Sequence, residues 1–272
     1  MEDTQLTRQV RHLCFSNNLP TYPSTAGLAV GHIQANLVVL PAKYAQDFRS
    51  LCQRNPVPCP LIGESLVGNA TRIIPSPGTG FAHSLFNNPV DIRTDLPKYN
   101  IYRGGQLLGS ADQIIDYWRD DSVAFLIGCS YSFEFALMKA GLPPRHHLTS
   151  TAVPMYRTSL PLNPAGVFTR GTYVVSMRPY RLTDIPRVRG ITAKYQMTGH
   201  GEPIAWGWDA VQALGIRDIM QPEWGTMVEF KTDEVPVFWG CGVTPQWVSQ
   251  RSRLPLCITH APGKMFVTDL KG

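Results

Sequence analysis

The sequence predicts an α/β protein with a mixed sheet flanked by helices. It divides into a main lobe (residues 1–150, continued by 225–272) and a smaller α+β lobe over 151–224. The central stretch, Val123 to Gly141, is the first ground for this. Val123-Ala124-Phe125-Leu126-Ile127 is an unbroken apolar run bounded by turn residues, the pattern of a strand buried on both faces. Directly after it, Phe133, Ala136, Leu137 and Ala140 fall at helical spacing, and Gly141 with Pro143-Pro144 marks the stop. The third ground is recurrence, since several other β-rich runs end in small polar or charged residues: Ser176 and Arg178, Cys241 and Thr244, Thr259 and His260.

Taken in order, Leu6, Val10, Leu13 and Cys14 predict a short amphipathic helix. Ile33 to Leu40 reads as a strand, and Tyr44, Phe48, Leu51 and Cys52 line one face of a helix. Prolines 56, 58 and 60 predict an extended segment. Alternation over Asp91 to Asp95 places Asp91, Arg93 and Asp95 on one side of an extended strip. Tyr99 to Arg103 and Leu107-Leu108 predict a hairpin turning at Gly104-Gly105, followed by a helix over 110–118. Arg145-His146-His147 is read as extended chain, where adjacent rings point apart, so no metal site is expected. Strands are expected at 172–177, 204–206, 228–231, 235–239 and near Cys257, with helices over 185–195 and 208–214.

Composition narrows the chemistry. At 272 residues and 43% hydrophobic, the chain buries a substantial core. The net charge of +5 comes from scattered residues, without the basic block that grips a phosphate backbone. A small anionic substrate is therefore expected, rather than nucleic acid. No apolar run approaches membrane-spanning length, and the cysteines at 14, 52, 59, 129, 241 and 257 lack zinc-ligand spacing. A cytoplasmic protein with free thiols, no cofactor and room for a homo-oligomer is the expectation.

Familiar catalytic motifs fail. Gly78-Thr79-Gly80 has His83 where a dinucleotide fingerprint needs glycine, and Gly128-Cys129-Ser130-Tyr131-Ser132 lacks the second glycine of a nucleophile elbow. What remains is a thiol (Cys129), hydroxyls (Ser130, Ser132) and a carboxylate (Glu134) at the end of the central strand. With Ser176, Arg178, Thr244, Thr259 and His260 at other strand ends, one pocket would combine an acid, a base and a cation.

FLIGCSYSFE, PMYRT, VVSMRP, DIRTDLP, PSTAGLAVGHIQANLVVLP, CQRNPVPCP, PVFWGCGVTPQ and ITHAPG together resemble the D-glutamate cyclase family, whose bacterial members are described as hydro-lyases. The likeness runs from Pro23 to Asp269. It departs at Phe168 to Thr172, where a Gly-Pro is expected. It departs again over HGEPIAWGWDA, where the family tends to read HGxPxHxGDP and this chain lacks the second histidine. The resemblance implies an uncommon two-lobed α/β fold and conversion of D-glutamate to 5-oxo-D-proline and water. Chemistry then suggests roles for the residues at hand. Arg93, Arg157 and Arg178 would hold carboxylates, Glu134 and His260 would exchange protons, and Ser130, Ser132, Ser176, Thr244 and Thr259 would orient the substrate. Cys129 is expected to carry a proton or wall the site rather than attack. The alternatives are a serine hydrolase using Ser130 with His260, and a non-enzymatic dicarboxylate-binding module.

Overall fold

Two antiparallel sheets organise the computed structural model, which describes residues 2–12, 24–81 and 84–272. The first sheet takes strands from both ends of the chain. They are β1 (His32–Pro41), β2 (Leu61–Ser65), β3 (Ile73–Pro75), β4 (Tyr99–Arg103), β5 (Gln106–Ala111), β6 (Ser122–Gly128), β11 (Cys257–His260) and β12 (Phe266–Lys271). Their order is β3-β2-β6-β1-β11-β4-β5, with β12 also paired to β1. The second sheet is β7-β8-β10-β9, from Met155–Pro161, Thr172–Arg181, Glu234–Gly240 and Ala205–Trp206. Among the described residues eight α-helices pack around them: α1 (Glu2–Arg11), α2 (Ala45–Arg54), α3 (Tyr131–Lys139), α4 (Arg145–Leu148), α5 (Ile185–Thr192), α6 (Gln196–Gly199), α7 (Asp209–Ala213) and α8 (Val243–Arg251). The class is the α/β one read from the sequence. Residues 225–272 divide between the sheets, because β10 joins the second and β11 and β12 the first.

The apolar run at 123–127 forms β6, and all seven strand residues are buried. Its two faces belong to separate cores. Ala124 and Leu126 join Ile33, Ala35, Leu37 and Val39 of β1. Val123, Phe125 and Ile127 pack with Val38 and Leu40 against Phe48 and Leu51 of α2. Alternation along β1 thus feeds both cores, which is why Leu37 to Leu40 of β1 and Val123 to Ile127 of β6 can be apolar without a break. At the end of β6, a Cβ on Gly128 would meet the backbone of Met197 and Thr198 within 3 Å. Only glycine lets α6 close on this strand end.

Five local expectations change. Residues 110–118 are not a helix: pairing with β4 extends β5 to Ala111, and a single 3-10 turn follows at Ile115–Tyr117. No strand forms at 228–231, although Val228 packs with Tyr156 and Phe238. Residues 56–58 turn instead of extending, closed by Cys59 N–H to Asn55 O at 3.0 Å. Residues 91–95 also turn, with Asp95 N–H donating to Asp91 O at 2.8 Å, so the three charges do not share an extended strip. Arg145-His146-His147 is helical, in α4. Leu13, Cys14 and His83 lie outside the described residues. No described helix is long and apolar enough to cross a membrane, and the five described cysteines are free thiols.

Candidate active site

The turn from β6 into α3 places Glu134 in the first turn of the helix, one face of which packs on the second sheet. Opposite it on β8 stand Ser176 and Arg178, two residues apart and therefore on one face. Arg178 is fully buried, and its guanidinium is spent on three partners. Nε donates to Glu134 Oε1 at 3.0 Å and a second nitrogen also bonds that oxygen. The other contacts go to Ser176 Oγ at 3.1 Å and Ser130 Oγ at 3.0 Å. Phe133 and Trp239 lie against the guanidinium at 5.0 and 5.3 Å. Such an arginine fixes a carboxylate and leaves no free fork for a substrate.

The other oxygen of Glu134 meets two histidines. His147 Nε2 lies 2.5 Å from Oε2, while His146 Nε2 lies between the two oxygens, 3.0 Å from Oε1 and 3.2 Å from Oε2. Successive residues of a helix differ by about 100° in direction, so both rings of α4 reach one point, as they could not in a strand. Tyr131 stacks on His146 with ring centroids 5.9 Å apart. Burial alone would raise the Glu134 carboxyl, but His146 and Arg178 outweigh it and hold the group well below the usual carboxylate range. Burial lowers His146 against the opposing pull of Glu134.

This cluster borders a small cavity of about 10 Å³, lined by Gly27 to His32 and Gln34 on one side and Tyr131, Glu134 and His147 on the other. The loop above it is tied down: Gln34 Nε2 donates to Thr25 O at 3.0 Å and Leu28 O at 3.2 Å. Tyr131 Oη lies 3.3 Å from Ser24 Oγ. His147 keeps 12% of its side chain exposed, against 1% for His146 and 2% for Glu134. Two roomier cavities, about 790 and 380 Å³, share Arg170, Trp247 and Arg251 and are lined by none of the cluster.

The structure therefore gathers Ser130, Glu134, Ser176 and Arg178 and separates other expected residues from them. Cys129 borders the site, with Sγ accepting from Tyr131 N–H at 3.5 Å. Burial pushes its thiol up, outweighing the stabilisation expected from the start of α3. Ser132 Oγ accepts from Gln34 N–H at 3.3 Å. Thr244 ties α8 to β8, accepting from Val174 N–H at 2.9 Å, and Thr259 bonds the backbone of His260. Arg93 is held by Asp91 within its own turn. Arg157 pairs with Glu223 and stacks on Trp247 in the 380 Å³ cavity.

His260 is a correction of substance. Along β1 the neighbouring strand changes from β11, opposite Val38, to β12, opposite Ala35. Leu37 N–H falls in the gap, and His260 Nδ1 accepts it at 3.1 Å. Burial pushes this imidazole down to about 3. It completes a strand's hydrogen bonding, and among the described residues no bond joins it to Glu134 or Ser130. The hydrolase pairing of Ser130 with His260 is therefore not assembled.

The sequence points to neither Tyr131 nor the loop at 27–31, and the two histidines are set aside there because an extended chain would part their rings. One signal was available for the histidines, because prolines preceding a polar run also open helices. Pro144, which in the sequence marks the end of α3, also stands directly before α4. The missing family histidine is less consequential than the sequence suggests. Ala205 pairs with Phe238, itself opposite Met177, whereas Arg178 lies in the neighbouring row with Val237 and Trp206. Ala205 thus occupies the sheet face away from Arg178.

The family model for D-glutamate cyclase matches residues 123–269. A Schizosaccharomyces pombe protein named "Putative hydro-lyase C5H10.01" is 49% identical over 248 residues, covering 91% of this chain and 79% of that protein. "Putative hydro-lyase Bpet2233" of Bordetella petrii is 50% identical over 246 residues, covering 90% and 88% respectively. Among solved structures, a nitrogen repressor-like protein from Methanococcus jannaschii aligns over 94% of this chain and 96% of its own, at 10% identity and a TM-score of 0.37. Matched by the family model over more than half its length, and by relatives near 50% identity over nine-tenths of it, the chain is an enzyme of the D-glutamate cyclase family.

Proposed function

We propose that the protein closes D-glutamate, or a closely similar acidic amino acid, to 5-oxo-D-proline with loss of water at the cavity beside Glu134. The observation that carries this reading is the clamped Glu134–His146–His147 cluster beside a cavity that Tyr131 also lines. Family membership supports the reaction class.

The reaction is balanced in protons. The substrate's ammonium loses two, its nitrogen bonds the γ-carbon, and the departing carboxyl oxygen takes up two and leaves as water. No outside acid or base is consumed, so one relay between nitrogen and oxygen suffices. Tyr131 suits that task. Burial raises its phenol, so it stays protonated, and it can give its proton to the leaving oxygen while accepting one from the amine. Ser24 Oγ, beside the phenol, steadies its orientation. The histidines, with the edge of His147 on the cavity, seat the γ-carboxyl group. Glu134 and Arg178 position them. Holding the substrate folded supplies much of the rest, since five-membered ring closure gains strongly from proximity.

A cavity of about 10 Å³ admits one water and no amino acid, so residues 25–31 must lift for substrate to enter. The test is to incubate the protein with D-glutamate, L-glutamate and a panel of dicarboxylates and to follow loss of one water by mass spectrometry. Turnover of D-glutamate that disappears in Tyr131→Phe, with binding retained, is expected. Binding without turnover in the native protein would refute the reading and favour a binding module.

A further inference from the structure

Two imidazole nitrogens and one carboxylate oxygen meet at a single point beside the cavity. The ligand atoms of Glu134, His146 and His147 all lie within 4.8 Å of one another. Four donors placed tetrahedrally about 2.1 Å from a zinc-like ion stand about 3.4 Å apart. The contacts here, 2.5 and 3.2 Å from Oε2 to the two Nε2 atoms, are somewhat shorter and the whole set spans up to 4.8 Å, so withdrawal of the carboxylate and a small rotation of the rings would seat an ion. We propose that Glu134, His146 and His147 form a binding site for one divalent transition-metal ion of the zinc and cobalt class. Glu134 Oε2 and both Nε2 atoms are its ligands, and a fourth position opens on the cavity.

The donor set selects the class of ion. Calcium and magnesium prefer oxygen cages, whereas two histidines and one carboxylate with an open position suit a catalytic transition-metal site. The carboxylate ligand has an outer partner of the kind such a site needs. Oε1 of Glu134 is held by Arg178, and Arg178 in turn by Ser130 and Ser176, which fixes the direction of Oε2. Tyr131 packs flat on the His146 ring.

Charge points the same way. Arg178 already pairs with Glu134, so little of its positive charge is left for a dicarboxylate substrate. A divalent ion restores two positive charges at the cavity wall, where the γ-carboxyl oxygen would occupy the fourth position. When bound there, the ion would polarise that carboxyl group as a Lewis acid. This role rests on the proposed cyclisation; the site itself does not.

The experiment uses the full chain, stripped with a strong chelator and dialysed. Cobalt(II) is titrated in and followed by visible absorption and calorimetry, then displaced with zinc(II). One equivalent of cobalt with an intense low-symmetry spectrum is expected. His146→Ala and His147→Ala should each weaken binding by about a hundredfold or more while circular dichroism shows the fold intact. His147→Asn, at the cavity edge, is the second variant should either alanine protein fail to fold. Absence of saturable cobalt binding by the folded native protein, or binding unchanged in the histidine variants, overturns the proposal. Cobalt bound as described without cyclisation of any glutamate would overturn the proposed function alone. Full cyclisation by stripped protein that binds no cobalt would overturn the metal site alone.

Discussion

Replacing Arg178 by methionine isolates the element on which the site is built. The side chain is fully buried, and Glu134 keeps only 2% of its side-chain surface. Methionine roughly fills the aliphatic volume but removes both guanidinium bonds to Oε1, leaving the buried carboxylate with the two histidines alone. Breaking a buried pair from one side costs about 3–5 kcal/mol, because the remaining charge goes uncompensated. In a chain of this size each kcal/mol shifts the midpoint by roughly 2–4 °C, so a fall of about 6–20 °C is expected. Glu134→Gln in the same background removes that remaining charge. The double variant should therefore be more stable than Arg178→Met alone, with a coupling energy of about 1–3 kcal/mol. Urea unfolding of the native protein, both single variants and the double variant gives this coupling directly. A loss below about 1 kcal/mol for Arg178→Met, or strictly additive single effects, would show that the clamp does not hold Glu134 as described.

Three further outcomes follow from particular contacts. His260 is pushed down to about 3, so below its unfolded value of 6.5 the unfolded chain takes up a proton that the folded chain refuses. Stability should fall as pH drops from 6.5 towards 3, by up to about 1.4 kcal/mol per unit. His260→Asn, which still offers Leu37 an acceptor, should flatten that slope and keep turnover. Gly27→Ala should depress activity, because the residue sits at φ +75° and its Cβ would stand 3.1 Å from His147 Nδ1. The strain is about 1–2 kcal/mol, read as a lowered melting temperature beside the activity loss. Close to the same loop, where Val10 packs with Ala29, Arg11 pairs with Asp269 at 2.9 Å and anchors α1. Burial would raise the Asp269 carboxyl, but Arg11 and Thr7 hold it below the ordinary value. The stabilisation is present above about pH 4 and lost as pH falls through the depressed folded value. Asp269→Asn should therefore narrow its gap to the native protein in acid unfolding curves.

Much of the fold was legible because pattern and packing agree. The β4–β5 hairpin turns at Gly104-Gly105, both with positive φ, and β1, β6, β8 and β10 lie where apolar runs place them. Failures occur where partners distant in sequence decide. Ser110 and Ala111 pair with Asn100 and Tyr99, which takes them out of a helical pattern. Asp91, Arg93 and Asp95 satisfy one another inside a turn, a choice alternation cannot reveal. The site divides in the same manner. Glu134, Ser130, Ser176 and Arg178 were found because strand ends are visible in sequence. The histidines of α4 were discarded because four helical residues carry too little periodicity to be recognised. His260 looked catalytic for the very feature that makes it structural, a histidine at the end of a buried strand.

Cys129 is the remaining candidate for covalent chemistry, and its surroundings oppose it. It packs with Tyr131, Val153, Met155, Val174 and Cys241, an apolar cluster in which burial pushes the thiol up instead of releasing a thiolate. The chemistry gains nothing from it either. A thiolate attacking the γ-carboxyl group must expel the same oxygen that the amine must expel, so a thioester removes no barrier that direct ring closure faces. The amine is already tethered, and a second nucleophile adds no proximity. Cys129→Ser is therefore expected to retain turnover, and Cys129→Ala to lose less than the ~10²-fold that removal of a proton-transferring group brings. Hydroxylamine added during turnover distinguishes the routes. A glutamyl hydroxamate formed by the native protein and absent in Cys129→Ser would establish a covalent intermediate and defeat the relay through Tyr131. Its absence from both, with 5-oxoproline still accumulating, is the expected result.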